Sequence, residues 1–148
     1  MAFKASVQVK GLKETEARFK KLGKSLFDFN RELKSSGKFM RNFFGNKVFS
    51  SKGAVIRERW APLKPSTIAM KGHAQILVDT GRMRNSFRFR SSRSLLVFNN
   101  TTPYLQFHQF GTSKMPRRTV MKVTDALAKD VGLIFQKGVN RRIKKAFK

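Results

Sequence analysis

The residue pattern predicts an α+β fold: a mostly antiparallel β-sheet packed against one long N-terminal helix and one C-terminal helix. Three observations carry that expectation. Apolar and polar residues alternate at 3–10 and again at 87–90, the two-residue period of a strand with one wet face. From Leu12 to Phe43, and from Leu127 to Phe147, apolar residues recur at three- and four-residue steps, as on an amphipathic helix. Clusters of Ser, Gly, Asn and Pro separate these stretches.

In chain order, Phe3, Ala5, Val7 and Val9 would face a core from a first strand ended by Gly11. A long helix should follow, with Leu12, Phe19, Leu22, Leu26, Phe29, Leu33, Met40 and Phe43 on one side. The same register satisfies a heptad, but Ser36-Gly37 interrupts a coiled-coil seam, so the helix is expected to lie across its own sheet. A break is expected near 35–37, with a second helical piece to about Phe49. Pro62 and Pro65 keep 60–66 irregular, and Ser66 is placed to cap a short helix through Met70, ended at Lys71-Gly72. The whole of 50–75 reads as a Pro-punctuated arm.

The stretch 76–111 reads as the organising centre. Asp79 or Thr80 should cap a short helix; Phe87 and Phe89 then alternate with Arg88 and Arg90, and 91–94 turns into an apolar run at 95–98. A β-hairpin entered from a short helix results. Asn99 to Pro103 is a turn cluster, and Tyr104, Phe107 and Phe110 sit at helical spacing before Gly111. Residues 117–123 read as a further strand. Thr124-Asp125 starts the last helix, in which Gly132 and Gly138 each cost about 1 kcal/mol of helix propensity.

The chain has 148 residues, enough for one domain over 1–148 with a core but not for two. Forty per cent hydrophobic residues, with fifteen Phe, argue for a packed interior. It contains no cysteine, which excludes disulfides and thiolate metal sites. No signal peptide is expected at the alternating N-terminus, and no apolar run approaches the ~20 residues of a membrane span, so a soluble, cytosolic product with no membrane partner is expected. The formal charge is +25, from 33 Lys and Arg against eight Asp and Glu. Like charge of that size in a small domain answers to a polyanion or an acidic partner.

Parts for catalysis are few. His73 lies in a Lys-Gly-His-Ala loop and reads as solvated. His108 could serve as base or ligand, but no second ligand stands at metal spacing, so it reads as an imidazole hydrogen-bonding backbone beside the core. Asp79-Thr80-Gly81 matches the aspartic-protease triplet, yet Arg82 and Arg84 would keep the carboxylate ionised where that mechanism needs a shared proton. No phosphate-cradling glycine loop is present. No enzyme, cofactor or metal is expected. Arg141, Arg142, Lys144 and Lys145 crowd the C-terminal end as a candidate basic surface.

Trp60-Ala61-Pro62-Leu63, Thr67, Lys71, the run Ile76-Leu77-Val78-Asp79-Thr80-Gly81 with Met83 and Ser86, Tyr104, His108-Gln109-Phe110-Gly111 and Pro116-Arg117-Arg118 form an ordered set. This set resembles the phage virion morphogenesis family, the tail-completion proteins of Mu-like contractile-tailed phages. Where that family usually reads Pro-x-Arg-Pro-Phe, this chain has Pro116-Arg117-Arg118-Thr119-Val120. The resemblance implies a structural virion protein of the neck, without catalysis, that completes the head-proximal end of a tail and mediates head–tail joining. It further implies a ring, commonly hexameric, beside connector and tail terminator or tube proteins, with genomic DNA as a possible non-specific contact. Such a ring needs two different surfaces per subunit. Trp60, Pro62 and Leu63 on the arm, and His108, Gln109, Phe110, Arg117 and Arg118 beyond the hairpin, are the candidate interface residues, because Trp and Arg often dominate interfaces. On that reading, Trp60→Ala should impair assembly more than folding. The alternative is a free, non-specific basic DNA-binding protein.

Overall fold

The computed structural model describes residues 12–26 and 28–147. The strand expected at 3–10 lies outside the described residues. The expected mixture of helix and antiparallel sheet is present, with far more helix than sheet. Helix α1 spans Leu12–Leu26 and α2 spans Asn30–Asn42. The expected long helix is therefore two helices, and the break falls between Leu26 and Asn30, not near 35–37. Asp28 supplies the restart signal: its Oδ1 accepts from the Asn30 amide at 3.0 Å.

Ser36 and Gly37 stay helical for a packing reason. The Ser36 hydroxyl donates back to the Glu32 carbonyl at 2.9 Å, and a side chain at 37 would collide with the Phe89 ring. Helix α2 then widens into a π turn at Phe43–Lys47 and ends in the short α3, Val48–Ser50. The Val48 amide donates to the Phe43 carbonyl, five residues back. The wider turn puts Phe43 and Phe44, and again Val48 and Phe49, into the core. A 3-10 turn at Ala54–Ile56 follows, with Ile56 fully buried. Helix α4, Pro65–Lys71, starts with Pro65 at its first turn after Lys64, not with a Ser66 cap, and stops at Gly72 (φ 74°).

Helix α5, Arg82–Asn85, opens the hairpin. Asp79 does not cap it; Gly81 stands at the cap, and the Arg82 amide lies 3.4 Å from the Thr80 hydroxyl. Strands β1, Phe87–Ser91, and β2, Leu96–Asn100, pair antiparallel, with Phe89 opposite Phe98. Among the described residues this pair is the entire sheet. Its inner face carries the phenylalanines: Phe44, Phe87 and Phe98 form a mutual cluster with centroids 5.4 to 6.0 Å apart. Helix α2 covers that face, and its start is tied to the hairpin tip by the Phe29 amide on the Arg93 carbonyl at 2.8 Å.

Helix α6, Leu105–Phe110, ends at Gly111 as the spacing predicts. Residues 117–123 form no strand, contrary to expectation, because side chains take backbone groups that a ladder would use (below). Helix α7, Asp125–Ala146, starts at Thr124, whose hydroxyl accepts from the Leu127 amide at 3.2 Å. It packs on α1 and α2. Where α2 and α7 cross, a side chain at Gly138 would collide with the buried Glu32, so this glycine permits the approach instead of merely weakening the helix. Glu32 forms an ion pair with Arg142 at 3.4 Å. No described helix is long and apolar enough to cross a membrane.

Candidate functional site

The segment 117–121 is laid against the rest of the chain by side chains that read its backbone. Trp60, buried against Phe49 (centroids 5.4 Å), donates its indole N–H to the Thr119 carbonyl at 2.6 Å. Gln109, on α6, accepts from the amides of Val120 and Met121 at 3.0 Å each and donates to the Met121 carbonyl at 2.7 Å. One amide side chain thus replaces a strand neighbour, as the two-way chemistry of Gln allows. Arg118 is buried and donates to the carbonyls of Ala61 and Pro62 at 2.9 and 3.0 Å, while its amide donates to the His108 carbonyl at 2.8 Å. The arm, α6 and 117–121 become one unit.

A cleft of about 620 Å³ opens between α4, the 77–83 loop, and the Tyr104, His108 and 114–118 face. The Lys71 ammonium shapes its floor by donating to the carbonyls of Gln75 (2.9 Å) and Val78 (2.6 Å). Leu77 and Gly81 hold the loop in left-handed backbone (φ 56° and 76°); at Leu77 this is strained. Lys64, Lys71, Arg82, Lys114 and Arg118 line the cleft against one carboxylate, Asp79. His108 is half-buried; burial, then the neighbouring Arg118 charge, lower its pKa, so the ring is held neutral. Its Nδ1 is enclosed without a hydrogen-bond partner in the structure, unlike the backbone-bonded imidazole expected from sequence. Beyond the rim, α6 exposes Phe107 and Phe110, the latter 77% exposed.

The expected interface residues therefore divide. Trp60 and Arg118 face inward and hold the subunit together; Leu63, His108 and Gln109 are half-buried; Pro62, Phe110 and Arg117 are exposed. Arg117 pairs with Glu58 at 3.2 Å, and Lys122 pairs with the same carboxylate at 2.6 Å. The Lys122 hydrogen bond, with the charges of Lys122 and Arg117, holds Glu58 below the usual carboxylate range. On α7, Arg141, Lys144 and Lys145 are exposed, away from the cleft lining. Arg142 instead turns inward to Glu32, donates to the Asp28 carbonyl at 2.7 Å and lies 5.4 Å over the Phe29 ring. Sequence reasoning missed the Gln109 clamp and the Glu32–Arg142 pair. A polar residue at an otherwise aromatic helical turn was the available signal for the first.

Among the described residues, no three His, Cys, Asp or Glu side chains are grouped to hold a metal. The site combines a braced arm, a basic cleft and, beyond the cleft, exposed aromatic rings on α6. The chain matches the phage virion morphogenesis family over residues 11–142 and belongs to that family. It is thereby a phage structural and assembly protein, associated with the virion, from a family not known for catalysis. No curated protein and no solved structure matches it.

Proposed function

We propose that this chain completes the head-proximal end of a Mu-like contractile tail and joins head to tail as a ring oligomer, commonly of six subunits, in the phage neck. The observation that carries the reading is the exposed aromatic rim of α6, presented on a helix that Gln109 locks in place beside the cleft. Copies of a +25 chain repel one another, so a closed ring needs contact faces where large apolar side chains replace cations. Phe107 and Phe110 provide one such face; the cleft, where Leu63, Leu77 and Met115 lie among five cations, is the different surface that would receive their rings. Connector and tail terminator or tube proteins would meet the remaining surfaces.

Size-exclusion with light scattering in moderate salt tests this. A discrete oligomer is expected, reduced to monomer by Phe107→Asp/Phe110→Asp with an unchanged melting temperature. A wild-type chain that stays monomeric and is absent from purified particles would overturn it.

A further inference from the structure

The acidic residues of this chain are unevenly placed: none occurs in 33–57 and none in 80–124. Folding brings these two carboxylate-free stretches side by side. Between them runs a groove of about 280 Å³ lined by Lys38 and Arg41 of α2, Arg84 of α5 and Arg88 of β1, with Asn42 and Asn46. All four cations are exposed, and none has an ion-pair partner among the described residues. The approach of the two walls is close: a Cβ at Gly45 would lie 3.0 Å from the Arg84 carbonyl. One guanidinium is pre-set, since Arg88 Nη1 donates to the carbonyls of Asn85 and Phe87 at 2.8 and 2.9 Å.

The groove is continued along α2. Arg31, Lys34, Lys38 and Arg41 are spaced three, four and three residues apart, so they form one exposed stripe roughly 15 Å long. From this juxtaposition we propose that the α2–α5–β1 groove is a duplex-DNA contact, gripping the phosphate backbone without reading sequence. The occupant follows from what the groove has and lacks. It offers charged donors and amides, the groups that hold phosphates. It has no exposed apolar anchor of the kind a protein partner needs, and no exposed aromatic ring on which an unpaired base could stack; Phe87, its one aromatic lining residue, is buried. The inference stands apart from the ring, because the groove shares no lining residue with the cleft and includes neither Phe107 nor Phe110.

The test is fluorescence anisotropy of the full chain with a random-sequence duplex of about 30 base pairs across a salt series, with poly-glutamate as the acidic-polypeptide probe. The groove variant Lys38→Gln/Arg41→Gln/Arg84→Gln should lose about tenfold or more in duplex affinity and reduce the salt slope by roughly three. The charge-matched variant Arg141→Gln/Lys144→Gln/Lys145→Gln should lose much less, and poly-glutamate binding should be similar in both. Melting curves check the fold, and the single variant Lys38→Gln gives the same ordering on a smaller scale. Equal losses from the two triples would reduce the effect to net charge and overturn the proposal. So would unchanged duplex binding in the groove variant, or a groove variant that loses poly-glutamate more than duplex, which would mark an acidic protein surface.

Discussion

The indole of Trp60 donates to the Thr119 carbonyl at 2.6 Å across fifty-nine positions of sequence. The chain's only tryptophan therefore clasps the two ends of the motif region inside one subunit. Its removal should be felt first in stability, reversing the emphasis on assembly that its residue type invites. Trp60→Ala should cost about 3–5 kcal/mol, and Trp60→Phe, which leaves the carbonyl unpaired, about 1–3 kcal/mol. Urea midpoints of the purified variants check both.

Three glycines in helices should respond to alanine with different signs. Gly132 has open space around it, so Gly132→Ala should stabilise by up to about 1 kcal/mol through helix propensity. Gly37→Ala and Gly138→Ala meet the Phe89 ring and Glu32, so packing strain of about 1–3 kcal/mol should outweigh the same gain. Thermal melts of the three variants decide it.

Glu32 is buried and faces Arg142 at 3.4 Å. Removing one member strands the other where water is scarce. Arg142→Met should cost about 3 kcal/mol, while Glu32→Leu/Arg142→Met should recover much of that loss. A double-mutant cycle in urea gives the coupling.

Acid should weaken the fold in two windows. The folded pKa of His108 lies below its ordinary 6.5, so on acidification the unfolded chain takes up the proton first and stability falls from there toward the depressed value. Glu58 is also depressed, from 4.5; its contribution is complete above that value and disappears as pH falls through the lower folded one. His108→Gln should flatten the first window and leave the second. Chemical denaturation at a series of pH values measures this.

Much of the centre was legible from sequence. The hairpin, its inward phenylalanines, the stop at Gly111 and the Thr124 start each rest on local periods or local hydrogen bonds. What was not legible depends on contacts distant in sequence. Ser36-Gly37 reads as a breaker locally, yet the Phe89 ring makes the glycine a packing site. Residues 117–123 read as a strand, but Gln109, Trp60 and His108 take the backbone groups that a ladder would use. The basic cluster on α7 was visible as composition, whereas the inward turn of Arg142 depends on a carboxylate 110 positions away.

Helix α2 touches the hairpin through Gly37 and helix α7 through Glu32. Those five steps amount to roughly 500° of rotation, which aims the two contacts about 140° apart. The interval works as a fixed ruler. A one-residue insertion or deletion inside it would swing one contact by about 100° relative to the other, and no side-chain replacement could restore both. Relatives should thus keep the count between these two positions.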